Sequence, residues 1–343
     1  MDSYFDKYKL AGKIKDMDEI PEKCPKYIPT GFEVLDAELG GGFAPKNLYV
    51  VGAVSSLGKS TFLLNIAENI AASGTPVLFF SMEMIGDFIA LTSISRRAFE
   101  ENAKDLTSDK LFNSAAYTKY VKNSGHKKIL NKAIDNYQKN TEDLYIIDDI
   151  NPSAEKIRQL TTKFKKEKGG KFVVIVDYLQ LIAPPSKFDL EDADETANLV
   201  NMEKRLMVDN DVNQLKRLAK DFEVPVIAIS SINRMSYDKP INFTAFKESG
   251  GIEFSADVIL GMQFRSIRCR SLMVKFDINR EKSKNPRELE VLILKNRYGK
   301  SGDDTAVYFN YFPASGKYVE EGKPPKDPEP DANAPKTENA GPW

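Results

Sequence analysis

Histidine, cysteine, membrane-length apolar runs and net charge are all scarce in this chain, and each scarcity removes a class of function. The one histidine, His126, is followed by two lysines in a polar stretch and reads as a solvated residue, with no role as ligand or base. Cys24 and Cys269 stand far apart, without pairing or metal spacing, which points to reduced thiols. The formal net charge is -1, so no overall basic field announces nucleic acid, although a local basic channel is compatible with a neutral total. No stretch is long enough to span a bilayer, and the opening Met1-Asp2-Ser3-Tyr4-Phe5-Asp6-Lys7 is not a secretory signal. A cytoplasmic protein with no membrane partner is expected.

What is present is apolar material in short, regular pieces. The chain has 343 residues, of which 41% are hydrophobic, enough for a large core in one α/β domain or two smaller ones. Residues 1–20 alternate charge with Tyr4, Phe5, Tyr8 and Ile14, the pattern of a short amphipathic helix. That helix packs either on its own domain or on a neighbouring subunit. Residues 21–27 read as a linker, and the Gly40-Gly41-Gly42 turn delivers the chain into the strand Leu48-Tyr49-Val50-Val51.

Further apolar, β-branched runs follow at 77–80, 144–147, 172–176, 224–229, 258–260, 291–294 and 307–309. Between them lie helical patterns, such as Phe62, Leu63, Ile66, Ala67 and Ile70, or Val212, Leu215, Leu218 and Phe222. Strands alternating with helices of this length need crossover connections, so a mostly parallel central sheet flanked by helices is expected. From residue 321 onward the chain is rich in proline, lysine and acid, with almost nothing apolar before Trp343; it reads as a disordered tail. The domain scheme is therefore 1–20 helix, 21–320 globular domain, 321–343 tail.

The chemistry concentrates between Tyr49 and Met84. There the loop Ala53-Val54-Ser55-Ser56-Leu57-Gly58-Lys59-Ser60 links a strand to a helix, where small residues let backbone N–H groups converge on phosphate. With Thr61 these residues form the expected nucleotide site. Lys59 reaches the β- and γ-phosphates, and the Ser60 hydroxyl ligates Mg²⁺. The usual motif opens with glycine where this loop has Ala53. Asp177 ends an apolar strand, from which a carboxylate can meet the Mg²⁺ shell. Glu83 ends the strand after the loop's helix. If that strand neighbours the loop strand, its carboxylate can orient the attacking water and take its proton. A P-loop ATPase using ATP and Mg²⁺ follows.

Ile28-Pro29-Thr30-Gly31-Phe32 with Leu35-Asp36, the phosphate loop, Phe80-Ser81-Met82-Glu83-Met84 and Asp177-Tyr178-Leu179-Gln180-Leu181 together resemble the RecA-like motor domain of DnaB-type replicative helicases. Ser230-Ser231-Ile232-Asn233-Arg234, Glu248-Ser249-Gly250-Gly251 and Lys295-Asn296-Arg297-Tyr298-Gly299 continue the match in order, over about residues 28–312. The resemblance implies a hexameric ring on single-stranded DNA, with ATP between subunits and a primase or loader as further partner. It implies Glu83 as general base, and Lys295 with Arg297 as the pair reaching the neighbour's γ-phosphate. Lys247, Glu248, Ser249, Gly250 and Gly251 match a loop that grips DNA phosphates.

Four departures stand out. No counterpart of the family's large N-terminal domain is found. Ser231 stands where the family usually has glutamine. The segment Asp189-Leu190-Glu191-Asp192-Ala193-Asp194-Glu195 is acidic where a channel loop would be basic or neutral, and Arg265-Ser266-Ile267-Arg268-Cys269-Arg270 adds a basic hairpin or a DNA contact. The leading expectation is a ring helicase or translocase. The alternatives are a RecA- or KaiC-like ATPase that assembles on DNA or protein without unwinding, and a regulatory or loading partner in which ATP controls assembly.

Overall fold

The apolar runs Leu48–Ala53, Val77–Ser81, Val173–Asp177 and Val258–Phe264 are buried along their whole length, because each is too hydrophobic to face water on either side. The computed structural model describes residues 17–122, 124–183, 204–246, 249–268 and 276–324. In chain order the first elements are α1 (Ile20–Lys23), α2 (Glu33–Leu39), β1 (Leu48–Ala53), α3 (Lys59–Ala72), β2 (Val77–Ser81) and α4 (Gly86–Glu100). Then come α5 (Ser108–Phe112), α6 (Ser114–Val121), α7 (Ser124–Asn140), β3 (Leu144–Ile147), α8 (Ala154–Lys168) and β4 (Val173–Asp177). The remainder is α9 (Lys204–Phe222), β5 (Val226–Ser231), α10 (Ser249–Ser255), β6 (Val258–Phe264), α11 (Ile278–Ser283), β7 (Arg287–Asn296), β8 (Gly302–Phe312) and β9 (Lys317–Gly322).

The nine strands form one sheet in the order β3-β2-β4-β5-β1-β6-β7-β8-β9. Pairing is parallel from β3 to β6 and antiparallel from β6 to β9. Short links join β7 to β8 and β8 to β9, and connections that short can only reverse the chain. β9 is an addition to the expected set. It runs to Gly322, past the boundary set at 320, because its alternating pattern is too weak to read from sequence. Among the described residues, no helix is long and apolar enough to cross a membrane.

Three packing features hold the loop region. Phe62 on α3 meets Phe32 and Phe309 at 5.8 and 5.5 Å between ring centroids, and Tyr318 at 5.2 Å, so one aromatic cluster ties α3 to β8 and β9. The Tyr318 hydroxyl donates to the Leu57 and Gly58 carbonyls at 2.9 and 3.1 Å, directly beneath the phosphate loop. Glu320 accepts the Val34 and Leu35 N–H groups at 3.0 and 2.9 Å, supplying the N-terminal cap that α2 lacks locally. The Thr30-Gly31 motif is also structural. Asp36 accepts the Thr30 N–H at 2.8 Å, and the Asn69 amide on α3 donates to the Thr30 carbonyl at 3.1 Å.

His126 is partly buried rather than solvated. It stacks on Tyr120 at 4.0 Å, where α6 turns into α7, so its contact is structural.

Tyr318→Phe keeps the ring stack and removes only the hydroxyl. We expect a loss of about 1 kcal/mol, near 2 °C in thermal midpoint, together with weaker nucleotide binding. A melt unchanged from the parent protein would show that β9 does not support the loop.

Candidate nucleotide site

The phosphate loop leaves β1 at Ala53, which is buried and paired with Ser231 on β5. Ser56 and Gly58 both adopt left-handed backbone, with φ of 64° and 90°, which turns successive N–H groups to one side. At Gly58 a Cβ would also sit 2.7 Å from the Tyr311 ring and the Tyr318 hydroxyl, so only glycine fits. Among the described residues no side chain caps α3, which leaves its first-turn amides available to an anion. Lys59 folds back toward the loop, its ammonium 3.3 Å from the Ala53 carbonyl. Burial lowers the Lys59 pKa, an effect opposed by the charges of Glu83 and Asp177.

These residues line a hollow of about 280 Å³ that also touches Thr61, Glu83, Tyr178 and Ser231. Larger hollows, of about 570 and 460 Å³, lie at the other end of the sheet and contain no phosphate loop.

Glu83 reaches this hollow by a route different from the one expected. β2 does not neighbour β1; β4 and β5 lie between them. The run Val77–Phe80 says that a strand is buried and nothing about which strand it pairs with. β2 pairs with β4, with Ser81 opposite Asp177, so Glu83 arrives beside the Asp177 carboxylate. The Ser81 hydroxyl donates to the Met84 carbonyl at 2.6 Å and closes the bend that carries Glu83 outward.

Asp177 is fully buried, and neither of its oxygens has a well-formed hydrogen bond among the described residues. Burial, with Glu83 adding to it, pushes its pKa up to about 6, while the nearby Ser60 hydroxyl and Lys59 pull it down. An orphaned carboxylate beside a hydroxyl at the mouth of a phosphate loop fits a magnesium ion. No group of three or more His, Cys, Asp or Glu side chains suited to a metal occurs among the described residues, so the ion would rest on phosphate oxygens as much as on Ser60 and Asp177.

Several contacts at this site were not apparent from sequence. The Tyr237 hydroxyl lies 2.8 Å from the Ser55 hydroxyl, placing the segment after β5 against the loop. Arg287 donates to the Ser56 carbonyl at 2.9 Å. Gln180 accepts the Ser231 N–H at 3.2 Å, so a glutamine amide stands next to that serine. The one usable signal was location, since loops at the C-terminal ends of parallel strands line ligand crevices.

Lys295 and Arg297 are not brought to this site. β7 runs antiparallel to β6, with Lys295 opposite Ile259 and Asn296 opposite Val258, which puts both residues at the foot of the sheet. Ala53 lies opposite Met262, so the foot is roughly 10–15 Å from the loop at about 3.3 Å per residue. There the Lys295 ammonium donates to the Glu253 and Ala256 carbonyls, and Arg297 faces Asp257 at 3.5 Å.

In the expected DNA loop, Lys247 and Glu248 lie outside the described residues, as does the acidic segment 189–195. Ser249, Gly250 and Gly251 open α10, and the Gly251 N–H donates to Asp209 of α9 at 2.8 Å. A Cβ at Gly251 would sit 2.2 Å from that same carboxylate oxygen, so close approach of α9 explains this glycine. Arg265–Ile267 is a 3-10 turn, with Arg268 paired to Asp303 at 2.7 Å.

A carboxylate whose folded pKa is raised stabilises the fold at low pH and loses that contribution as pH rises through the folded value. Free of metal and nucleotide, the protein should therefore lose about 3 kcal/mol from Asp177 between roughly pH 4 and 7. Asp177→Asn should flatten this slope and raise the melting point at neutral pH in EDTA, while ending Mg²⁺-dependent nucleotide binding. Equal pH slopes in the two proteins would contradict the assignment.

The profile of the DnaB-like helicase C terminal domain matches residues 27–315. The replicative DNA helicase DnaB of Pasteurella multocida is 30% identical over 280 residues, covering 80% of this chain and 52% of that protein. The DnaB of Geobacillus stearothermophilus is 30% identical over 279 residues, covering 80% and 53%. The chain thus spans about half the length of these relatives. Among solved structures, the ATPase domain of G40P superposes with a TM-score of 0.70 at 23% identity, covering 93% of this chain and 99% of that one. A DnaB-like replicative helicase, described with its interactions with primase, gives 0.68 at 24% identity, covering 88% and 64%. At these identities the structural likeness shows the fold, a RecA-like P-loop ATPase core. The profile match over most of the sequence goes further: this chain belongs to the DnaB-like helicase C-terminal domain family.

Proposed function

We propose that the chain is an ATP-hydrolysing motor that works as a ring, hexameric by family resemblance, and translocates on single-stranded DNA to separate strands. The observation that carries this reading is the division of the catalytic set between the two ends of one sheet. Lys59, Ser60, Glu83 and Asp177 gather at the C-terminal edge, whereas Lys295 and Arg297 stand at the foot. A subunit placed foot to edge against the next would complete the neighbour's site, and such a heterologous contact closes into a ring when its rotation closes.

In that arrangement the loop N–H groups and Lys59 hold the phosphates. Glu83 orients a water and accepts its proton, and the neighbour's Arg297 faces the charge that develops on the transferred group. Ser60 and Asp177 would hold Mg²⁺, which supplies electrostatic neutralisation between the phosphates when bound. The segment Lys247–Gly251 is the proposed DNA contact, and a primase or loader is the proposed protein partner.

One contact favours a second reading, a RecA- or KaiC-like assembly without unwinding. The Gly251 N–H, which a DNA phosphate would need, is already taken by Asp209.

Forked-duplex displacement, with ATPase measured in the presence and absence of single-stranded DNA, separates the two. The absence of both unwinding and stimulation by DNA would sink the motor reading. Arg297→Ala should lower turnover by about 10³-fold and leave binding of a fluorescent ATP analogue intact. Retained turnover would refute the role in trans.

A further inference from the structure

We infer that Asp257 is a positioning residue for the arginine that one subunit lends to the next, an inference that rests on the trans role proposed for Arg297. Asp257 immediately precedes β6 and is 0% exposed. Its Oδ2 accepts the Leu48 N–H at 2.8 Å, at the first residue of β1, and pairs with the Lys216 ammonium of α9. That oxygen is committed. Oδ1 has no hydrogen-bond partner among the described residues and lies 3.5 Å from the Arg297 guanidinium, a charge contact without a fixed bond. The Asp257 carbonyl also accepts the Arg297 N–H at 2.9 Å, which anchors the arginine's backbone, while its guanidinium makes one long hydrogen bond, to the Phe254 carbonyl at 3.4 Å.

Three cations share this carboxylate. Lys216, Lys295 and Arg297 are close enough to act on one another and on Asp257 electrostatically. Lys216 is held, at 13% side-chain exposure, and Lys295 is tied to two backbone carbonyls. Arg297, 45% exposed and holding one carbonyl at 3.4 Å, is the least tightly held of the three. With the carboxylate in place, attraction keeps the guanidinium over the foot of the sheet, where a neighbour's phosphate can receive it. With the carboxylate neutralised, repulsion from Lys216 and Lys295 acts on Arg297 against only the more exposed Glu253 and the Phe254 carbonyl. Asp257 therefore steers Arg297 by charge and does not lock it.

The test uses mixed rings. Asp257→Asn subunits have an intact phosphate loop and a misdirected arginine; Lys59→Ala subunits have the converse. Asp257→Asn alone should lose about tenfold or more in kcat with little change in KM. Random equimolar mixing with Lys59→Ala places a good loop against a good arginine at about one interface in four, and turnover should reappear to that extent. Arg297→Ala mixed with Lys59→Ala is the control. If the control fails to recover, the trans reading falls; if it recovers and the Asp257→Asn mixture does not, this inference alone falls.

Lys216→Gln should keep most of its turnover, because Arg297 retains its counter-charge. A loss equal to that of Asp257→Asn would mean that the carboxylate only pins β1, and would overturn the inference. Should Asp257→Asn fail to bind nucleotide, Asp257→Glu, which displaces the charge by one methylene, replaces it in the same mixture with the same expected recovery.

Discussion

Strands paired in parallel must all end at the same edge, and the geometry of the candidate nucleotide site depends on that constraint. β1, β2, β4 and β5 finish at Ala53, Ser81, Asp177 and Ser231, so residues scattered over 180 positions of sequence meet around one hollow. The antiparallel turn into β7 reverses the rule. Its last residues come back to the edge where the parallel strands begin, carrying Lys295 and Arg297 away from the loop. A single change of strand direction thus separates the groups proposed to hold phosphate from the group proposed to complete its transfer.

Two buried carboxylates mark the two ends of the sheet, and they are treated differently. Asp257 is compensated by Lys216, a backbone N–H and the nearby Arg297. Asp177 has only the nearby Lys59 charge and Ser60 hydroxyl, too little to offset burial, and its raised pKa records that cost. Uncompensated buried charge is expected where a ligand is to supply the missing partner. A fully satisfied Asp177 would make a more stable protein with nothing left to offer a metal ion.

Much of this was legible in the sequence, for identifiable reasons. The phosphate loop, its helix and the strand-ending Asp177 are local patterns, fixed by residues within a few positions of one another. Glu83 could be singled out by the same reasoning, but its neighbour could not, because apolar runs such as Val77–Phe80 and Val173–Val176 carry no label of which strand they pair with. β9 escaped notice because Lys317-Tyr318-Val319-Glu320 is too polar to announce a strand, although Tyr318 is among the most buried residues in the protein. Tyr237 and Arg287 belong to the same class of omission. Their importance lies in contacts to Ser55 and Ser56 across more than 180 residues, and no periodicity encodes such a distance.

The position of β9 also has a consequence for synthesis on the ribosome. The phosphate loop emerges early, yet the tyrosine beneath it lies 260 residues later, and the cap of α2 comes from Glu320, 286 residues beyond Val34. Loop closure over such separations is slow, and it cannot begin before the last strand has left the exit tunnel. A nascent chain of this protein therefore carries a phosphate loop without its floor until β9 has been made. The floor beneath the phosphate loop is complete only once β9 has docked.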